Sequence, residues 1–145
     1  MYSFIIDMRP FGKERHKINK KTLAVYSPQS NREYEKAVGY ICKASMAKNG
    51  IFCASEKYVE VHIVAFFKIP AGTNKIKEQR MLSGELMPDK KPDIDNIAKA
   101  VMDGMNGIAY QDDKQVIKLI IEKRYGREAK VEVAVREYEK DLKGD

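Results

Sequence analysis

The chain has 145 residues, a length that suits one domain whose core needs no disulfides or structural metal. With 43% hydrophobic and 33% charged residues it has the composition of a soluble globular protein, and no apolar run approaches the roughly 20 residues needed to cross a bilayer. We therefore do not expect a membrane protein. The net charge of +6 suits a polyanionic partner such as nucleic acid without requiring one.

Neither the cysteines nor the N-terminus indicates a secreted protein. Cys42 and Cys53 are too few for a disulfide scaffold, and they lack the paired spacing of a zinc site. The segment Met1 to Asp7 has no basic residues before its short apolar stretch and no small-residue cleavage site after it, so it is predicted to be a strand rather than a signal peptide. We therefore expect a cytoplasmic location.

The first half of the chain predicts a strand, a basic loop and a helix. Tyr2 to Met8 is a short apolar strand that the following proline and glycine end. Between Arg9 and Lys21 the positive residues are opposed only by Glu14, which predicts a basic loop. Ser27-Pro28 then indicates the start of a helix with one apolar face, and Asn49-Gly50 ends it.

The middle of the chain predicts a buried strand, a loop and a second helix. Tyr58 to Phe67 alternates at first and then becomes apolar on both faces, as expected for a central strand. Pro70 to Lys91 has no sustained period, which predicts a long loop of a length that is usually functional or mobile. After Pro92 an apolar stripe predicts a second helix, which Asn106-Gly107 ends.

Two strands complete the prediction, Gln115 to Arg124 and Lys130 to Tyr138, and Tyr125-Gly126-Arg127 between them favours an antiparallel hairpin. The order β-α-β-α-β-β predicts an α/β (α+β) fold, a mixed sheet with two main helices packed against it. Residues 1–138 are expected to form a single domain, and residues 139–145 a polar tail.

A group of acidic residues surrounds the second helix. Asp93 and Asp95 flank Ile94 where the helix begins, and residues two apart in extended backbone share a face. Lys99 follows Asp95 by one helical turn. Asp112-Asp113 comes after the helix, on a connection that either returns to the helix N-terminus or ends far from it. If it returns, the carboxylates offer the hard oxygen ligands that suit Mg²⁺ or Mn²⁺, which can activate water at a phosphate.

Each part of this pattern also has a purely structural interpretation. Asp95 suits a helix N-cap, with Asp93 favoured by the helix dipole. Lys99 suits an ion-pair ladder with Asp95 and Asp103, and Asp112-Asp113 suits a turn. The conjunction of the parts, rather than any one of them, favours a metal-dependent site.

Taken together, residues 91–116 resemble the RusA family of Holliday-junction resolvases in its phage and prophage form. The matching elements are D-x-D-N at 93–96, a lysine four residues after the second aspartate, a helix that ends at N-G, and D-D before an apolar strand. Met81-Leu82-Ser83-Gly84-Glu85 and the element order are also similar, so the resemblance covers most of the chain.

The resemblance implies a Mg²⁺-dependent endodeoxyribonuclease, with Mn²⁺ as a substitute, that resolves Holliday junctions by paired symmetric nicks in DNA recombination and repair. The implied metal ligands are Asp93, Asp95 and Asp113. Asp112 is implied as a supporting acid, Lys99 as essential for cleavage, and Asn96 as a residue that holds an aspartate or caps the helix. The implied partner is four-way or branched DNA, bound by a homodimer without a small-molecule cofactor.

Two basic segments are expected to contact DNA phosphates, Lys13 to Lys21 and Lys75 to Lys91. The residues predicted to do so are Lys13, Arg15, Lys17, Lys75, Lys77, Arg80, Lys90 and Lys91. Any one of them is also consistent with an ordinary solvated cation. Phe11 and Tyr26 could stack on opened bases, although aromatic residues more often belong to a core.

Two other functions remain open from the sequence. A less selective branched-DNA or flap endonuclease would carry the same motif. A non-catalytic DNA-binding module of the same fold would be expected to lack an acid or the lysine, and all of them are present. A nucleotide phosphotransfer enzyme is disfavoured because the chain has no Gly-rich P-loop.

Overall fold

The computed structural model describes residues 1–141, except for the side chains of Tyr26 and of residues 139–141. The strands are β1 (Tyr2–Ile6), β2 (Lys17–Ile18), β3 (Val25–Tyr26), β4 (Lys57–Lys68), β5 (Val116–Gly126) and β6 (Lys130–Asp141). The helices are α1 (Gln29–Lys48), α2 (Lys75–Leu82) and α3 (Ile94–Met105), with a 3₁₀ turn at Asp113–Gln115. The predicted fold class, a mixed sheet with helices against it, is confirmed.

The main sheet has four strands in the order β1-β6-β4-β5, and β4, one of its two interior strands, is the one predicted to be central. The predicted hairpin between the last two strands is wrong. β5 pairs in parallel with β4, whereas β6 pairs antiparallel with β4 on its other side and with β1. The short turn between β5 and β6 therefore crosses the end of β4. A local turn signal does not fix the pairing, because β4 is apolar on both faces and gains most by having a neighbour on each edge.

One face of the sheet carries the core. Alternate residues of β4, among them Val61 and Ile63, are buried beneath α1 and α3. The two helices approach closely at Gly104, where an added Cβ would lie 2.7 Å from the Cβ of Val38. The same contact fixes α3, and hence the acidic residues at its start, against the body of the protein.

Three details differ from the sequence prediction. The predicted loop at 70–91 contains α2, which begins where the Asn74 side chain accepts a hydrogen bond of 2.8 Å from the Lys77 backbone N–H. The basic loop contains the short hairpin β2-β3. Strand β6 reaches Asp141, three residues past the predicted end, and residues 142–145 of the predicted tail lie outside the described residues. Within residues 1–141, no helix is both long and apolar enough to span a membrane.

Candidate active site

The acidic motif lies where α3 begins. Asp93 occupies the N-cap position in extended backbone, with a ψ of 151°, but its side chain makes no capping hydrogen bond. Asp95 lies in the first turn of the helix, so the interpretation of Asp95 as the N-cap is wrong. Both side chains are exposed, and neither forms an ion pair with another described residue. Because neither carboxylate has a structural partner, both are free to bind a ligand.

The alternative ion-pair ladder along α3 does not form among the described residues. Asp103, which was its expected last member, instead pairs with Lys13, and the Lys13 ammonium also lies 3.3 Å from the Glu35 carboxylate. Lys99 is exposed and pairs with neither Asp95 nor Asp103. The lysine of the motif therefore presents its charge to solvent about one turn beyond Asp95, near the middle of the helix.

Lys13 is embedded in the protein surface rather than free upon it. Its side chain is 15% exposed. Burial by itself lowers the pKa of Lys13, but the hydrogen bonds and negative charges of Asp103 and Glu35 outweigh it and raise the pKa above the usual value. Its partner Asp103 lies 90 residues away in sequence, so no local pattern indicated this contact. The predicted contact of Lys13 with DNA remains a prediction, and its ammonium is already held by two carboxylates.

Residues 11–14, here called the strap, cross the start of α3. The Lys13 N–H donates a 3.0 Å hydrogen bond to the Asn96 carbonyl. Gly12 runs so close to Pro92 that an added Cβ would lie 2.5 Å from the Pro92 Cβ. Only glycine fits this approach without a shift of the backbone. The strap therefore holds the segment that carries Asp93 and Asn96.

The two ends of the strap are attached to α1. The Phe11 ring stacks on the Tyr34 ring with 4.7 Å between centroids, and it packs against the core while remaining partly exposed. At the other end, the buried Asn31 side chain accepts from the Glu14 N–H and donates to the Glu14 carbonyl, both at 2.9 Å. Sequence reasoning did not identify Asn31, because its partners are backbone groups of a distant loop.

Asp112 and Asp113 form the second half of the acidic motif and have different roles. Asp112 is the N-cap of the 3₁₀ turn and accepts a 3.0 Å hydrogen bond from the Lys114 N–H. Its own N–H donates to the Gln115 side chain at 2.9 Å, which completes a capping box. The turn interpretation therefore describes Asp112 correctly. The Asp113 side chain takes no part in this capping and is exposed.

Gln115 connects this turn to the sheet, and sequence reasoning did not identify it. It is 1% exposed, and its side-chain amide donates to the carbonyls of Ser55 at 2.7 Å and Lys57 at 2.9 Å. The signal that could have identified it is the spacing of Asp112 and Gln115, which is that of a capping box.

The turn brings Asp113 back toward α3. Hydrogen bonding with Asp112 raises the pKa of Asp113, and burial and the charges of Asp112 and Asp103 act in the same direction. Hydrogen bonding from the Lys114 backbone and from Asp113 lowers the pKa of Asp112. The negative charges of Asp113 and Asp103 both contribute to the raised pKa of the buried Tyr110, after burial itself, and the Tyr110 hydroxyl donates to the Met102 carbonyl at 2.7 Å. Asp113 therefore lies nearer to Asp103, in the last turn of α3, and its approach to Asp93 and Asp95 at the start of the helix stays a prediction.

The donor chemistry of the predicted ligands fits a hard cation, because Asp93, Asp95 and Asp113 offer only carboxylate oxygens. Asp93 and Asp95 lie at the start of α3, whereas Asp113 lies in the 3₁₀ turn. Asp113 is near Asp103, which is eight residues beyond Asp95, or about 12 Å along the helix axis. Within residues 1–141, no three His, Cys, Asp or Glu side chains are grouped closely enough to hold a metal. The residue types therefore fit Mg²⁺, but the three carboxylates do not lie close enough together to bind one ion.

Most of the other predicted DNA contacts lie on the surface. Lys75, Lys77 and Arg80 are exposed on α2, and Lys90 and Lys91 directly precede Pro92 at the start of the acidic motif. Arg15 lies just before β2 and Lys17 within it. The Arg80 guanidinium already forms an ion pair with the Glu85 carboxylate, with 3.2 Å between the two groups.

Free carboxylates and a lysine beside exposed cations suit an enzyme that acts on nucleic-acid phosphodiesters. The comparisons agree, because the profile described as "Endodeoxyribonuclease RusA" matches residues 7–136. The chain therefore belongs to the RusA family of endodeoxyribonucleases. It is also similar to a Bacillus subtilis (strain 168) protein described as "Uncharacterized protein YqaN", with 29% identity over 126 residues that cover 87% of each chain.

Proposed function

We propose that the protein is a Mg²⁺-dependent, structure-selective endodeoxyribonuclease that resolves four-way DNA junctions by paired symmetric nicks as a homodimer. Membership of the endodeoxyribonuclease family supports the reaction class. The observation that carries the proposal is that Asp93, Asp95 and Lys99 are exposed and serve no cap or ion pair among the described residues. Exposed charged groups that serve no cap or ion pair are available to bind a cation and a phosphodiester substrate.

In this proposal Asp93, Asp95 and Asp113 would hold the cation. A bound Mg²⁺ supplies neutralisation of phosphate charge and an activated water. Lys99 extends its ammonium one turn from Asp95 and stabilises negative charge that develops on the cleaved phosphate. The hydrogen bond from Lys13 to the Asn96 carbonyl keeps the Asp93 to Asn96 segment in position while the DNA binds.

A less selective branched-DNA or flap nuclease is the second candidate, favoured by the openness of the site. Asp93, Asp95, Lys99 and Asp113 are all exposed, so the surface around them does not itself exclude other DNA shapes. Junction selectivity would then depend on the geometry of the dimer and on the basic surface.

Cleavage of a labelled four-way junction, beside linear duplex, single strand and flap, tests the proposal. Wild type and Asp95→Asn are compared in Mg²⁺, in Mn²⁺ and in EDTA, and light scattering gives the mass of the free protein. Paired symmetric nicks in the junction alone, lost in EDTA and in the variant, are expected. Equal cutting of all substrates would favour the second candidate. Binding of the junction without cleavage would indicate a non-catalytic DNA-binding module.

Asp93→Asn separates the metal role from a general electrostatic role. It should abolish cleavage while junction binding is unchanged or tighter, because it removes a ligand and also a negative charge near phosphate. Asp89→Asn is the matched control, since it removes one exposed acidic charge from the loop just before the motif. Full activity of Asp93→Asn would refute the metal assignment. Equal loss in both variants would point to charge alone.

A further inference from the structure

A cavity of about 460 Å³ lies directly beside the acidic motif. It is enclosed by the chain that leads into the strap, the turn before α3 and the end of β4. Pro92, which lines it, immediately precedes Asp93. Its volume is within the range of pockets that hold small organic ligands, and none of the roles described above uses it.

The rim of this cavity is cationic. Its charged lining residues are Arg9, Lys68, Lys90 and Lys91, and no acidic residue lines it. None of these four cations forms an ion pair with a described residue. The Lys90 backbone is held in place, because its carbonyl accepts a hydrogen bond of 2.5 Å from the Lys123 ammonium on β5. Four unpaired positive charges around one opening favour an anionic ligand.

The wall of the cavity is aromatic and contains one unsatisfied polar group. Phe11, Tyr34 and Phe67 line it. Tyr34 is 4% exposed, and its hydroxyl has no hydrogen-bond partner among the described residues. Buried hydroxyls almost always have a partner, so a ligand that enters the cavity and shifts this wall slightly could supply the hydrogen bond that the Tyr34 hydroxyl lacks.

We infer that this cavity receives an unpaired nucleotide of the DNA strand that is cut, with its base against the aromatic wall and its phosphates at the cationic rim. The inference rests on the proposed nuclease function and specifies how that site recognises its substrate. Splayed bases stack on aromatic side chains and offer polar edges, which would give the Tyr34 hydroxyl its partner. Unstacking is least costly where bases are already unpaired, so occupancy of the cavity favours branch points over intact duplex.

Tyr34→Phe is the sharpest variant, because it removes only the orphan hydroxyl and keeps the ring that stacks on Phe11. Its thermal midpoint should equal or exceed that of the wild type, since an unsatisfied buried group is lost. Its affinity for the four-way junction, measured by anisotropy in EDTA, should fall about two- to tenfold. Tyr40→Phe, on the same helix but 78% exposed and outside the cavity, should change neither value.

The ligand side is varied with junctions in which the nucleotides at the branch point are replaced one at a time by abasic sites. One replacement should weaken binding by wild type about tenfold, through loss of a stacked base, and should weaken binding by Tyr34→Phe less. Lys91→Gln should weaken binding of both the intact junction and the junction with an abasic site, because it removes a phosphate contact. Lys36→Gln, which removes an exposed lysine of α1 outside the cavity, should leave binding unchanged.

Deoxynucleoside monophosphates and inorganic phosphate separate base recognition from anion binding. Stabilisation of the wild type by a monophosphate, and not by phosphate at the same concentration, would support the inference. Equal stabilisation by both would overturn the base contact. A wild type that cuts junctions while abasic sites and Tyr34→Phe change nothing would also overturn the inference and leave the nuclease function intact. A wild type that neither binds nor cuts junctions would overturn the proposed function itself.

Discussion

Replacement of Gln115 by leucine tests whether one buried side chain holds the turn that carries Asp112 and Asp113. Leucine has a similar size and no polar atoms. It removes the two hydrogen bonds donated to the Ser55 and Lys57 carbonyls and the one accepted from the Asp112 N–H. At 1% exposure, water cannot replace these partners without a change in the surrounding structure.

The expected loss follows from the three hydrogen bonds. Each typical intramolecular hydrogen bond contributes about 1 kcal/mol, and an unsatisfied buried group costs about as much or more. The free energy of unfolding should therefore fall by about 3 kcal/mol. For a chain of this size that corresponds to a thermal midpoint lower by roughly 6–12 °C. Cleavage should also fall at temperatures at which the variant is folded, because Asp113 lies in the released turn.

Urea denaturation followed by circular dichroism measures this loss. Gln111→Leu is the matched control, since its exposed side chain makes one hydrogen bond, of 3.0 Å, to Glu56. The control should change the free energy of unfolding by less than about 0.5 kcal/mol. A Gln115→Leu variant within about 0.5 kcal/mol of the wild type would refute the assignment of Gln115 as the anchor of the turn.

Three further variants test the strap and α3. Gly12→Ala should lower both stability and cleavage, because its Cβ would meet Pro92 at 2.5 Å; wild-type values for both would contradict the close approach. Lys13→Met should destabilise the protein by about 1–2 kcal/mol below pH 10.5, measured by urea denaturation. Since the folded-state pKa of Lys13 is raised, this difference should shrink as the pH rises through it, and a constant difference would exclude the ion pair with Asp103. Lys99→Met should reduce the cleavage rate at saturating DNA without changing stability, and a stability loss instead would indicate a structural role.

Local patterns predicted the elements that depend on neighbouring residues. The apolar stripe and the residues at each end fixed α3 at Ile94–Met105, as the helical period and Asn106-Gly107 required. The start of α1 after Pro28 was likewise predicted, as was the central position of β4. In each case the residues that carry the signal lie within the predicted helix or strand or directly beside it.

Contacts between distant segments were not predicted. The pairing of β5 with β4 rather than β6 depends on which arrangement buries the most apolar surface across the whole sheet. The short helix α2 was missed because only Met81 among its residues is buried, so it has no apolar stripe to reveal it.

The sequence by itself determined the identities and spacings of the acids and the lysine around α3, because these are properties of one continuous segment. Only the tertiary structure decided which charges are free. In the folded protein Lys13 forms ion pairs with Asp103 and Glu35, and Asp112 caps the 3₁₀ turn. The side chains of Asp93, Asp95 and Lys99 have no partners among the described residues. The physical reason is that an ion pair or a buried hydrogen bond forms wherever folding brings its two groups together, at whatever separation along the chain.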